Sequence, residues 1–189
     1  SAAWHEIRAE SAEVTKKLHM VPRFHEIMRE QSPISAKGEH AWRMFIVRAY
    51  GVELTANKAM CPVLAGLAAA APQVLSASFS FLEPGGHIPP HRGPFRGVLR
   101  FYMVLSNPAL ADGRPGAVLK IAGVEYRLAD GEYLLWDDTF EHEVWNESDE
   151  VRCVLLLDVW RPGMPIDMQL LSKTLIGVVQ LGVKVRGFA

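Results

Sequence analysis

The chain has 189 residues, 49% of them hydrophobic and 22% charged, with a formal net charge of -1, which is the size and composition of one soluble globular domain with a sizeable core. Near-neutral charge and the lack of any dense basic run exclude the electrostatic footprint of a nucleic-acid binder. Two cysteines, Cys61 and Cys153, cannot build the disulfide framework of a small secreted protein, and their apolar surroundings suit buried thiols in a reducing, cytoplasmic compartment.

Residues 1–40 read as a helical N-terminal extension, 41–162 as the core and 163–189 as a C-terminal tail. From Ala2 to about Gln31, Trp4, Ile7, Val14 and Leu18 form a loose apolar stripe that Phe24, Ile27 and Met28 continue beyond Pro22. The stretch SPISAKGEH is a polar loop, and Ala41 to Gly51 is rich in β-formers and ends on Gly, which predicts a strand. A helix is expected over Thr55 to Ala71, with Pro62 either in its first turn or at a kink. Val74 to Leu82 alternates at period two, predicting a strand with one buried face and with Ser76, Ser78 and Ser80 together on one side. Gly97 to Ser106, Ala117 to Ile121, Glu125 to Leu128, Glu132 to Trp136 and Val151 to Trp160 read as further strands, divided by turns such as ADGRPG and ADGEY. Many short strands without βαβ alternation make a mainly β sandwich or barrel. The tail from Leu170 reads as a helix packed on the sheet, with peripheral membrane contact as the alternative. Its uncharged part, Thr174 to Val183, falls short of the roughly 20 apolar residues that a spanning helix needs.

Two stretches carry chemistry. In EPGGHIPPHRGPFRGVLRFYMVL, Glu83 to Leu105, a Pro and Gly cluster between apolar runs predicts a tight irregular turn presenting His87 and His91. In GEYLLWDDTFEHEVWNESDEVRCVLLLDVWRP, residues 131–162, His142 stands among acidic residues and Arg152 heads a strand. Imidazoles without a neighbouring thiolate fit a redox or catalytic metal better than a structural zinc. His87 is the rival ligand to His91; four residues apart the two would share a helix face, but Pro89 and Pro90 prevent that helix, so the pair need not converge. Structural imidazoles explain two such histidines about as well. Arg152 offers a bidentate grip for a distal carboxylate, while its bland reading is a surface ion pair with Glu147 or Glu150. His5, His19, His25 and His40 are scattered without a convergent pattern.

HIPPHRGP followed by LRFYMVL, then GEYLLWDDTFEHEVWN and VRCVLLLDVWRP, resembles the aspartyl/asparaginyl β-hydroxylase family of oxygenases that use iron(II), 2-oxoglutarate and dioxygen. The resemblance covers about Ala41 to Pro162 and implies a double-stranded β-helix, a cupin-like jelly roll, with the N-terminal helices packed outside. It implies that His91 and His142 bind iron, that Arg152 holds the distal carboxylate of 2-oxoglutarate with help from Ser80, and that Arg100 lies near its other end. Tyr102 stands where the family often has a histidine that touches the cosubstrate, and Trp42 matches a tryptophan before the first core strand. Gly93 stands where many other oxygenases place a carboxylate ligand, a substitution for which this family is known, so a water oriented by Asp138 or Glu141 is expected instead; adding the carboxylate as Gly93→Asp is expected to keep iron bound. The implied reaction couples decarboxylation of 2-oxoglutarate to hydroxylation of an unactivated C–H bond. The substrates implied are an Asp/Asn-type residue of a peptide, a carrier-bound amino acid or a lipid acyl chain. The competing reading is a cupin-like metal or small-ligand binding domain without turnover.

Overall fold

The computed structural model describes residues 2–28 and 41–185. At the N-terminus the expected long helix is broken. Helix α1, Ala2–Thr15, is followed by a 3-10 turn at Leu18–Met20 and a single turn α2, Phe24–Ile27. The cause is Pro22, which forces Val21 out of helical geometry (φ -76°, ψ 124°). The polar loop at 32–40 and the end of the expected helix, 29–31, lie outside the described residues.

Strand β1, Trp42–Ala49, turns through Tyr50 and Gly51, both with positive φ (49° and 85°), into the short β2, Val52–Glu53; paired positive φ values are those of a two-residue hairpin turn. The helix expected over Thr55 to Ala71 is two: α3, Thr55–Met60, and α4, Pro62–Ala70, with Pro62 in the first turn of α4, where its missing N–H costs nothing. Then come β3 (Val74–Leu82), β4 (His87–His91), β5 (Val98–Ser106), β6 (Ala117–Ile121), β7 (Val124–Tyr126), β8 (Tyr133–Trp136), β9 (His142–Asn146), β10 (Arg152–Trp160) and α5 (Ile166–Val185).

The strands form two sheets, β2-β1-β3-β10-β5-β8 and β4-β9-β6-β7. From β3 onward the chain alternates between them except at the β6–β7 hairpin, which stays in the second sheet, and all pairs are antiparallel; this is the double-stranded β-helix. Two elements depart from expectation. Residues 87–91 form a strand, not an irregular turn. Pro89 and Pro90 are tolerated because β4 is the edge of its sheet, where no ladder donor is needed on one side, and the register slips between Ile88 and His91. And β3 is buried on both faces. One face, with Ala77, Phe79 and Phe81, packs under α1 and α4 in a cluster with Ile7, Val14 and Leu64. The other, with Ser78 and Ser80, points into the barrel, where Trp42, Leu82, Tyr102, Val104, Val154 and Leu156 make a second core. Cys61 and Cys153 are buried free thiols whose pKa burial pushes up to about 12.

Candidate metal centre

The antiparallel pairing of β4 with β9 sets His91 opposite His142, with ring centroids 4.0 Å apart. Each ring turns its Nδ1 to the carbonyl two residues back, His91 to Pro89 at 2.8 Å and His142 to Phe140 at 3.0 Å. A carbonyl only accepts, so Nδ1 of each imidazole carries the hydrogen and Nε2 keeps its lone pair. Burial is the main force holding both pKa values down, that of His142 to about 3, with His91 and Arg100 acting further on His142 and Arg100 on His91. Two adjacent neutral imidazoles, each fixed through Nδ1 by backbone, are what metal ligation asks for. His142 is also wedged edge-on against Trp136 at 4.6 Å.

His87 is not part of this pair. It is exposed, stacks flat on Trp145 at 4.9 Å and leans on Glu143 at 3.4 Å. His87→Ala is therefore expected to leave iron content within about twofold of the parent, measured after anaerobic loading and desalting; an emptied site would mean the ligand assignment is wrong. His5 packs edge-on against Trp4, neither His19 nor His25 lines the site, and His40 lies outside the described residues.

Among the described residues no third His, Cys, Asp or Glu joins the two histidines in a metal-holding group. Gly93 explains how space is used there. A Cβ at 93 would fall 2.3 Å from the carboxyl carbon of Asp138, while the Gly93 N–H donates to the Asp138 carbonyl at 2.7 Å. The volume that a side chain at 93 would fill is thus taken by the buried Asp138 carboxyl group, one oxygen of which, Oδ1, has no hydrogen-bond partner. This corrects the expectation for Gly93→Asp. The new side chain must first displace Asp138 from Arg100, 3.2 Å away, so the substitution should lower both iron content and the unfolding midpoint, and a variant with parent-like values for both would overturn this reading. Glu141, the alternative to Asp138 for orienting such a water, is exposed and pairs outward with Arg92 at 3.4 Å.

The histidines stand between two cavities. The inner one, about 40 Å³, is lined by Trp42, Ser80, Tyr102, Arg152 and the two histidines; at roughly 10–15 Å³ per water-sized group it takes about three. Arg152 is 1% exposed, has no ion pair among the described residues, and makes one long bond from Nη1 to the Ser80 carbonyl at 3.4 Å, while its Nε is buried without a partner there. Among the described residues there is no surface ion pair with Glu147 or Glu150: Glu147 bonds Arg127 at 2.8 Å, and Arg152 is sealed inside the barrel, away from the surface where Glu150 is exposed. The Ser80 hydroxyl accepts from Trp42 Nε1 at 3.0 Å, and Tyr102 is buried beside Arg152 with its pKa raised by burial.

The outer cavity, about 130 Å³, shares Trp42, His91, Arg100 and His142 with the inner one and opens past Phe24, Met28, Met44 and Ile46. Arg100 is doubly paired here, to Asp158 at 2.9 Å and to Asp138 at 3.2 Å. Burial opposes its charge, but the two carboxylates more than offset that and raise its pKa; burial likewise raises that of Asp138. Asp158 was not among the sequence-derived candidates. The signal was present, because Arg152, Val154, Leu156 and Asp158 fall on one face of β10 at period two.

Residues 1–162 match the family model described as Aspartyl/Asparaginyl beta-hydroxylase. The chain belongs to that family. Among relatives of this β-hydroxylase-family chain is the ornithine lipid ester-linked acyl 2-hydroxylase of Rhizobium tropici, 33% identical over 156 residues, covering 82% of this chain and 54% of that protein. The human aspartyl/asparaginyl beta-hydroxylase is 34% identical over 86 residues, covering 46% of this chain and 11% of its own length. This chain thus spans about half the length of the first relative and a small part of the second. Of solved structures, the cupin domain of an XRE family transcriptional regulator from Enterobacter cloacae is 19% identical with a TM-score of 0.38, covering 46% of this chain and 81% of that one. The fold itself is mainly β, a jelly roll with helices outside, and the family is one of hydroxylases.

Proposed function

We propose that the chain is an iron(II) and 2-oxoglutarate dependent dioxygenase that hydroxylates an unactivated C–H bond, and that its substrate presents an acyl chain. The observation that carries the reading is Arg152, a buried guanidinium without a counter-ion, placed in a small cavity directly behind two neutral imidazoles. A buried charge without a partner is costly, and a carboxylate reaching past the histidines would remove that cost.

His91 and His142 would hold the iron through Nε2, and bound iron with 2-oxoglutarate and dioxygen supplies the oxidising chemistry, with succinate and carbon dioxide as coproducts. The protein's part is orientation and exclusion. Arg152 would take the distal carboxylate on its planar fork, with Ser80 and Tyr102 closing the inner cavity so that only the short arm of a dicarboxylate enters. Arg100, held by Asp158 and Asp138, would face the end of the cosubstrate nearest the metal. Asp138, in the volume vacated at Gly93, would orient a water in place of a third protein ligand. Trp42 and Trp136 wall the histidines from solvent.

For the substrate, apolar side chains at the outer mouth suit methylenes better than a peptide backbone, and the Rhizobium relative acts on an ester-linked acyl group by its name. The test is anaerobic loading with ferrous iron, then addition of oxygen and 2-oxoglutarate with succinate as readout, alone and with either an ester-linked acyl lipid or an Asp-containing peptide. Lipid-stimulated succinate with a hydroxylated acyl product is expected. Iron and 2-oxoglutarate binding with no succinate under any condition would instead make this a cupin-like binding domain without turnover.

A further inference from the structure

We infer that α5 is a membrane-surface docking element whose contact with a lipid bilayer delivers an acyl chain to the outer cavity, an inference that rests on the acyl-chain reading above. Helix α5 is the one described helix long and apolar enough to cross a membrane by length and composition, yet only 11% of its window Ile166–Val183 is buried. The apolar stretch is longer than its uncharged part, Thr174 to Val183, because Lys173 is the one charged residue between Leu170 and Val183.

The helix touches the barrel along one narrow face. Ser172 and Ile176 are buried, Ile176 against Leu75 and Val98, and the Gln180 side-chain amide donates to the Tyr50 carbonyl at 2.6 Å. Opposite that face, Leu170, Val178 and Leu181 stand 67%, 67% and 64% exposed, with Leu171 beside them. At 100° per residue these form one arc. The patch is on the order of several hundred Å², the upper range for an isolated soluble domain, where such a patch marks an interaction site.

Two features decide for a lipid surface. First, an apolar groove of about 450 Å³ runs between the barrel mouth and the C-terminal half of α5, where Val179, Gly182 and Val183 face Met28, Met44 and Ile46. Those three barrel-side residues also line the outer cavity, so the groove and the metal-site cavity adjoin across the same flexible side chains. A protein partner covering α5 would close this route, whereas a bilayer supplies the chain that fills it. Second, among the described residues the cations Lys173 and the exposed Arg96 lie beside the patch, placed as an amphipathic element needs them near anionic headgroups. With Ser172 and Gln180 committed to the barrel, the helix lies along the surface and does not span.

The test is flotation of the whole chain with vesicles of phosphatidylethanolamine and phosphatidylglycerol, with phosphatidylcholine vesicles as comparison. The parent should float with the anionic vesicles, and the combined variant Leu170→Glu, Val178→Glu, Leu181→Glu should lose at least about tenfold in vesicle affinity with an unchanged circular dichroism spectrum. A parent that stays with the lipid-free protein, a variant that floats like the parent, or a parent dimer that these substitutions split without altering flotation would each overturn docking. A second variant reads the route: a Cβ at Gly182 meets nothing within 4 Å, so Gly182→Phe fills the groove. It should keep flotation and lose at least tenfold in hydroxylation of vesicle-borne acyl lipid, and unchanged hydroxylation would overturn delivery through the groove. Failure of the oxygenase reading is distinguishable, since it would appear as no succinate from the parent with iron and 2-oxoglutarate whether or not vesicles bind.

Discussion

Arg152→Met is expected to weaken 2-oxoglutarate binding by about thirtyfold or more, the consequence of losing roughly 2 to 5 kcal/mol when one partner of a desolvated, charge-assisted pair is removed. Arg152→Lys should fall between, because the ammonium keeps the charge but loses the planar fork that meets both carboxylate oxygens. Iron affinity should hardly change in either, since the arginine makes no bond to the histidines. A second readout separates a cosubstrate anchor from a structural arginine. In the described structure the Arg152 charge has no counter-ion and its Nε no partner, so without cosubstrate the guanidinium is a liability, and Met at this position should stabilise the free protein, by on the order of 1 kcal/mol. Thermal unfolding of both proteins, with and without 2-oxoglutarate, checks it: the variant should melt higher than the parent alone and gain nothing from the ligand. A variant that melts lower and still binds 2-oxoglutarate like the parent would leave Arg152 a structural residue, with Arg100 the remaining candidate for the anchor.

How much of this was legible in the sequence depends on how local each signal is. The barrel strands were legible because period-two alternation and turn residues are local properties, and β3, β6 and β10 lie where the pattern puts them to within a residue. The edge strand β4 was hidden, since HIPPH carries the composition of a turn and only its place at the rim of a sheet, a fact of topology, makes two prolines acceptable there. The double burial of β3 was hidden for a related reason: alternation reports that two faces differ, and here one faces apolar helices while the other faces a barrel interior that mixes apolar side chains with a small polar cavity, so small serines signalled that cavity and not solvent. His91 and His142 could be proposed from motif order, but their facing registers, and the backbone carbonyls that fix both tautomers, are products of strand pairing across 51 positions. The bland alternatives for Arg152 and His87 could be separated only by burial. One is sealed in the barrel and the other lies on Trp145 outside it.

The second large effect is expected at His142. With Gly93 unable to contribute a side chain and no third metal-binding side chain among the described residues, iron would depend on two imidazoles, and removing one leaves a single monodentate ligand with no chelate partner. Losing even the groups that orient a ligand typically costs 10–100-fold in metal affinity, so His142→Ala should cost more than about a hundredfold and abolish succinate formation. His91→Ala should behave alike, because the two rings are equivalent in burial cause and in backbone support. The alternative, that the pair is structural, makes an opposite prediction about the fold. His142 fills space against Trp136 and His91, and a purely structural histidine replaced by the similarly shaped, uncharged Gln would be tolerated in stability and in iron content. In the proposed centre, His142→Gln should unfold near the parent's midpoint yet fail to retain iron through desalting. Metal analysis beside thermal unfolding reads both quantities on one sample. Parent-like iron in His142→Gln and His142→Ala together would remove the histidine pair from the metal centre, and with it the reason for Arg152 to wait behind them.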